Sequence, residues 1–328
     1  MKRVLVTQRM HDAGHALLDA RDDVEWFIPP DTEPATLIEA VKDVDALAVR
    51  TAHLTADVLK HAKNLKVVSR HGVGCDSIDV DHCAERGIPV CIAAGGNAQT
   101  VVEHTMAMMT YLARGLKAQD AIVREGRWAE RMNFGMAKDL FQSTMLIVGY
   151  GRIGKKLAPV CKAFGMDVVV ADVALDRDLA AQQGVRTVTD FHDELANADY
   201  ISLHVPLDDT TRNMIGPAEL AAMKDGVILI NNARGGVVDE AALAEALDSG
   251  KVFGAGLDVF STEPPPADHP LTRHPNVILA PHFGAQSYHA VETVSKMAMQ
   301  NILDAFDGCL KDEMIFNLDG LRKAGHRN

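Results

Sequence analysis

The first 97 residues alternate short apolar runs with amphipathic stretches of helical period. Runs at 3–7 (RVLVT), 24–27 (VEWF), 46–50 (ALAVR), 66–70 (KVVSR) and 89–93 (PVCIA) predict strands. Segments near 11–20, 34–42, 55–62 and 79–86 predict helices, with Thr55 and Asp79 as N-caps. Strands alternating with helices predict a parallel sheet covered on both faces. The small, polar stretch 95–100 (GGNAQT) reads as a hinge or crossover. One long amphipathic helix is then expected from 101 to about 124, apolar at Val102, Met106, Met109, Leu112 and Leu116. Its methionines are expected in the core. Residues 125–144 show no regular period and present Trp128 and Phe134, the kind of stretch that becomes a subunit contact. From 145 the alternation resumes, with strands at 146–149, 167–171, 185–188, 199–205, 226–231, 252–259 and 276–280. Pro264, Pro265 and Pro266 break any regular element after the sixth of these, and a last helix is expected over 287–306. The final GHRN reads as frayed. The fold class is therefore α/β, with two doubly wound parallel sheets.

Length and composition agree with two globular domains: 328 residues, 47% hydrophobic and 24% charged. A formal net charge of −12 disfavours non-specific binding to nucleic acid. The start, MKRVLVTQRM, has too short an apolar run for a signal peptide, and no stretch approaches the roughly 18 residues that span a bilayer. Five cysteines, an odd number, point to reduced thiols and a cytoplasmic location; Cys75, Cys83 and Cys91 are expected as buried thiols and not as a metal site. HDAGH at 11–15 places His11 and His15 on one helix face, read as surface.

The chemistry begins at 145–172, MLIVGYGRIGKKLAPVCKAFGMDVVVAD. A strand runs into Gly149, Gly151 and Gly154, which open a helix. The first glycine permits a tight turn, the second lets a pyrophosphate approach the backbone, and the third lets helix and strand pack closely. The helix N-terminus offers free N–H groups to the phosphates. Asp172 closes the second strand, where a carboxylate bonds the adenosine ribose and repels a 2′-phosphate, which favours NAD over NADP. Three further stretches follow strands: NNARGG at 231–236, STEP at 261–264 and APHFG at 280–284. Together they supply a guanidinium (Arg234), a carboxylate (Glu263) and an imidazole (His282). In the first half, RHGVG at 70–74 is a second glycine-rich strand end suited to a small anion.

These motifs, with VSRHGVGCDSID at 68–79, VVEHT at 101–105, LHVPLDDTTRNMI at 203–215 and GLDVFSTEP at 256–264, cover nearly the whole chain. The chain resembles the D-isomer-specific 2-hydroxyacid dehydrogenase family, which includes phosphoglycerate dehydrogenases and glyoxylate/hydroxypyruvate reductases. The resemblance implies a substrate domain, 1–97 with 293–328, and an NAD-binding domain, 98–292, with the active-site cleft between them. It implies a homodimer formed through the region matching 101–145. It makes Arg234 the substrate-binding arginine, Glu263 the acid paired with histidine, and His282 the proton donor and acceptor. Cofactor contacts would come from Thr105, Gly149, Gly151, Arg152, Ile153, Gly154, Asp172, Val205, Pro206, Asn232, Ala233, Asp258, His282 and Gly284. Substrate contacts would come from Arg50, Val73, Gly74, Asn97 and Arg234. No metal is implied. The residue types suit these roles: a guanidinium holds a 2-oxo acid in a fixed fork, an imidazolium protonates the developing alkoxide, and a neighbouring carboxylate favours the charged ring. His53 and His71 depart from the family pattern, either to contact a distal anionic group or to fill space. The C-terminal regulatory domain of some phosphoglycerate dehydrogenases is not expected. Glu263 counts against formate oxidation, where relatives carry glutamine. The alternative reading is a dinucleotide-sensing corepressor of the same fold.

Overall fold

The structure, a computed structural model, describes residues 1–327. Two compact units divide the chain, one formed by Met1–Asn97 with the chain from Gln286 onward, the other by Ala98–Ala285. The boundary expected at 292/293 falls inside the helix Tyr288–Phe306, whose Ala290 and Val294 are already buried.

In the first unit, β1 (Lys2–Val6), β2 (Val24–Phe27), β3 (Ala46–Val49), β4 (Val67–Arg70) and β5 (Val90–Ile92) form one parallel sheet ordered β2-β1-β3-β4-β5. Alternation along the strands feeds two cores. Leu5, Leu47, Val49 and Val68 face one side, while Val4, Val6, Ala46, Ala48 and Val67 face the other. The second core is closed by Met299, Ile302 and Leu303 of the helix Tyr288–Phe306. That helix crosses Asp12–Asp19 at Gly14, where a Cβ would stand 2.2 Å from Ser295 Oγ and 2.7 Å from its carbonyl oxygen.

In the second unit, β6 (Thr144–Val148), β7 (Asp167–Ala171), β8 (Arg186–Val188), β9 (Tyr200–Leu203), β10 (Val227–Asn231), β11 (Val252–Leu257) and β12 (Val277–Leu279) form a parallel sheet ordered β12-β11-β10-β9-β6-β7-β8. Direction along the sheet reverses between β6 and β9. The helix Ala98–Arg114 buries Val102, Met106, Met109 and Leu112 against Met145, Ile147, Ile228 and Ile230.

Several expectations change. Helix begins at Ala98, so the crossover is shorter than 95–100. The single helix of 101–124 is two, Ala98–Arg114 and Leu116–Arg124, because Gly115 takes a left-handed conformation (φ +62°) that breaks the ladder and turns Leu116 outward. Residues 125–144 include one short turn, Trp128–Asn133, of 3-10 helix. His15 is buried, not surface: its Nε2 accepts from Met10 N at 3.2 Å, its ring meets Trp26 edge-on, and burial lowers its pKa. Thr55 stands at its N-cap without a side-chain bond, whereas Asp79 caps through His82 N. The tail is not frayed at His326 and Arg327, which bond Glu85 O and Leu310 O; Asn328 lies outside the described residues. Cys75, Cys83, Cys91 and Cys161 are buried and form no disulfide, and burial pushes Cys83 and Cys91 up to about 12. Among the described residues, no helix is long and apolar enough to cross a membrane and no cluster of His, Cys, Asp and Glu could hold a metal.

Candidate active site

The carboxyl ends of the second unit's strands carry the candidate residues in spatial order. Register pairs Leu279 with Leu257, Leu257 with Asn231, Asn231 with Leu203, Leu203 with Val148, and Val148 with Ala171. The loops beyond those positions hold His282, Asp258, Arg234, Val205 with Pro206, the glycine turn, and Asp172. Ligands of open α/β sheets bind at this edge, at the point where strand order reverses.

Each glycine of the turn has a measurable reason. Gly149 has φ +102°, and a Cβ there would lie 2.6 Å from His204 O. At Gly154 a Cβ would lie 2.2 Å from Gly149 O, so only glycine lets the helix Gly154–Ala163 start against the strand. A Cβ at Gly151 would meet nothing within 4 Å, so this exposed stretch of backbone, flanked by Arg152 and Ile153, is open to a ligand. Asp172 Oδ2 accepts from Tyr150 N at 2.6 Å and Oδ1 from Ala174 N at 2.8 Å, fixing the carboxylate beside the turn. Next to it, His204 Nε2 meets Ser202 Oγ at 2.8 Å; burial lowers this ring to about 4, so it is neutral.

Arg234 leaves a loop that is held on both sides. Asn231 accepts from Ala233 N and donates to Arg234 O, at 3.1 and 2.9 Å. Gly235 packs so closely on Phe260 that a Cβ would stand 1.8 Å from its carbonyl oxygen. Asn232 Nδ2 donates to the buried Thr105 hydroxyl at 3.0 Å, while Asn232 Oδ1 is buried with no hydrogen-bond partner among the described residues. An orphaned buried acceptor costs free energy, and a donor on a bound ligand would relieve it. Open backbone at Gly151, the fixed Asp172 carboxylate and this acceptor fit a dinucleotide.

His282 Nδ1 lies 2.9 Å from Glu263 Oε2, and Glu263 Oε1 accepts from Phe260 N at 3.1 Å. The two side chains are 51% and 37% exposed, a setting in which an ion pair adds only about 0–1 kcal/mol to stability. The pair is better suited to chemistry than to holding the fold. His282 has φ +54°, a left-handed conformation that costs a non-glycine residue about 1–2 kcal/mol. Asp258 holds it there. Its carbonyl accepts from His282 N at 2.8 Å, and its buried carboxylate accepts from Phe283 N and Gly284 N at 2.6 and 2.7 Å. His104 Nε2 is 3.7 Å from that carboxylate.

In the first unit, Arg50 follows β3, Val73 and Gly74 follow β4, and Asn97 ends the stretch after β5, all at the carboxyl edge of that sheet. Arg70 spans the turn, donating to His71 O and Gly74 O at 2.9 Å each. The two unassigned histidines differ. His53 is exposed, whereas His71 is lowered to about 4, first by burial and then by the Arg50 charge, and is neutral.

Four residues with evident structural parts were not singled out from the sequence: Asn231, Glu240, His269 and His104. Their signal was weak because each acts across a loop or between strands. Glu240 reads in sequence only as an acid in a helix's first turn.

The family model "D-isomer specific 2-hydroxyacid dehydrogenase, NAD binding domain" matches residues 106–284. A D-3-phosphoglycerate dehydrogenase of Methanocaldococcus jannaschii is 37% identical over 96% of this chain and 59% of that protein. A hydroxypyruvate reductase of Thermotoga maritima is 37% identical over 92% of this chain and 97% of that protein. The chain spans about half to three fifths of the length of the phosphoglycerate dehydrogenases it matches. Among solved structures, a D-lactate dehydrogenase of Aquifex aeolicus complexed with NAD and lactic acid superposes with a TM-score of 0.81, at 32% identity over 94% of this chain and 96% of that one.

Proposed function

The chain belongs to the D-isomer-specific 2-hydroxyacid dehydrogenase family, and on that premise we propose that it interconverts a small 2-oxo acid and its D-2-hydroxy acid, using NAD. The observation that carries this reading is the His282–Glu263 pair, at 2.9 Å, on the same sheet edge as the glycine turn. Glu263 accepts a hydrogen bond from Nδ1–H, which leaves Nε2 as the nitrogen that exchanges protons with substrate. With Nε2 protonated, the ring delivers a proton to the oxygen of a 2-oxo acid as it is reduced; with Nε2 bare, it withdraws the hydroxyl proton of a 2-hydroxy acid. Arg234 binds the acid through its carboxylate and keto oxygen. Val73 and Gly74 receive the substrate carboxylate, with Arg50 and Asn97 toward the remainder of the molecule. A bound nicotinamide supplies or accepts the hydride. Gly149, Gly151, Arg152, Ile153, Gly154, Asp172, Val205, Pro206, Asn232 and Ala233 hold the dinucleotide, with Asp258 and Gly284 beside the nicotinamide and Thr105 supporting Asn232.

The substrates proposed are 3-phosphohydroxypyruvate, hydroxypyruvate, glyoxylate and similar acids. The test follows NADH oxidation with each of these and with pyruvate. Turnover of at least one supports the reading. NADH binding with no turnover of any replaces it with the dinucleotide-sensing alternative.

Cofactor choice follows from Asp172. NADH is expected to be preferred, and Asp172→Ala with Val173→Arg to shift preference toward NADPH, since Val173 is fully exposed beside the carboxylate. Equal or better turnover of NADPH by the parent overturns this.

The working form is proposed to be a homodimer in the cytoplasm. Trp128, Met132, Met136 and Phe141 are exposed close together in sequence, an apolar surface that suits a partner copy. Light scattering should give twice the chain mass, and Trp128→Asp with Met132→Asp should lower it toward one. A monomeric parent ends this part of the reading.

A further inference from the structure

The loop that carries Glu263 is exposed from Ser261 to Asp268 except at Pro265, and contains Pro264, Pro265 and Pro266. One carboxylate outside the proposed site ties down both of its ends. Glu240, the first residue of the helix Glu240–Asp248, accepts from Ser261 N at 2.6 Å through Oε1 and from Ser261 Oγ at 3.0 Å through Oε2. The same Oε2 lies 2.9 Å from His269 Nε2, and both side chains are mostly buried, at 11% and 16% exposed. His269 Nδ1 accepts from Leu271 N at 3.4 Å, which assigns the ring proton to Nε2 and makes His269 a donor to Glu240. Phe260, immediately before Ser261, gives its N–H to Glu263 and packs its carbonyl on Gly235, next to Arg234.

We propose that Glu240 is a positioning residue for the acid–base pair, closing the Ser261–His269 loop so that Glu263 stays in contact with His282. It works entirely through Glu263 and touches neither substrate nor cofactor. The proposal rests on the proton-exchange role given above to His282. The charged and titratable groups facing His282 within the second unit are Glu263 and, through the 282–284 backbone, Asp258 with His104 beside it. Those facing Glu240 are His269 and the N-cap Asp239.

The experiment measures kcat/KM against pH, in both directions, for the parent, Glu240→Ala, Glu263→Gln and the double variant, with NADH affinity and thermal melts alongside. An ionised Glu263 favours the imidazolium. Reduction, which needs the charged ring, should therefore be lost at lower pH in Glu263→Gln than in the parent, and oxidation should begin at lower pH. Glu240→Ala should move both limbs the same way, toward Glu263→Gln, and reduce kcat/KM by up to about a hundredfold, the scale of a 1 Å misplacement. The double variant should sit at the Glu263→Gln midpoint, and NADH affinity should hold throughout. If Glu263→Gln moves the midpoint and Glu240→Ala does not, the positioning role is wrong and the acid–base reading stands. If neither moves it, the paired-acid reading fails and takes this proposal with it. Should Glu240→Ala fail to fold, Glu240→Gln replaces it: its amide loses the bond from His269 but keeps an acceptor for Ser261 N, and an unshifted midpoint there is equally fatal.

Discussion

Replacing His282 with alanine is expected to lower kcat/KM for 2-oxo acid reduction by about 10²–10⁴-fold, the usual contribution of a general acid or base, while NADH should still bind. The geometry separates the two effects. His282 stands after β12, whereas the glycine turn follows β6, with β11, β10 and β9 between them. Its main-chain bond to Asp258 does not involve the ring, and the carboxylate of Asp258 grips Phe283 N and Gly284 N whatever side chain precedes them. Alanine therefore deletes the imidazole and leaves its loop in place. It tolerates the left-handed backbone at 282 no better than histidine does, so a small loss of melting temperature is also expected. Steady-state turnover and NADH fluorescence titration check the two halves. Parent-like turnover removes His282 from the chemistry, and lost NADH binding means that the loop has collapsed.

The glycine turn was legible because its logic is local. Strand, turn and helix are adjacent in sequence, and the spacing of Gly149, Gly151 and Gly154 states which backbone must come close to which. Strand positions were legible for the same reason, since parallel strands buried on both faces read as continuous apolar runs. Gly115 was not: a glycine inside a helical period can be tolerated at a cost or can end the helix, and the sequence alone does not say which. His15 misled because a helix face says nothing about what covers it, here Trp26 of a neighbouring strand.

Candidate catalytic residues were legible as types at strand ends, and their supports were not. Nothing near Glu240 in sequence announces that its carboxylate reaches Ser261 and His269. Nor does NNARGG reveal that Asn231 folds back on the loop while Asn232 bonds Thr105 on a distant helix. Such partners are set by loop conformation, which has no period to read.

Arg234→Lys tests whether the fork matters or only the charge. Lysine keeps the cation but offers a point charge in place of two parallel N–H donors, so it cannot hold carboxylate and keto oxygen together. Loss of a donor aimed at developing oxyanion charge costs about 10²–10³-fold in kcat, and weaker ground-state binding should raise KM as well. The loop itself should survive. Asn231 holds it by bonds to the Ala233 and Arg234 main chain, and Gly235 is seated on Phe260, none of which uses the guanidinium. The Arg234 side chain also donates from Nη1 to Ala233 O at 2.7 Å, a bond that a lysine ammonium replaces only in part. Arg234→Ala separates placement from chemistry further, because free guanidinium ion at sub-denaturing concentration should restore part of its turnover. Rescue by guanidinium but not by ammonium identifies the planar fork as what the substrate needs. A lysine variant that matches the parent on every acid tested means that Arg234 serves only as a positive charge.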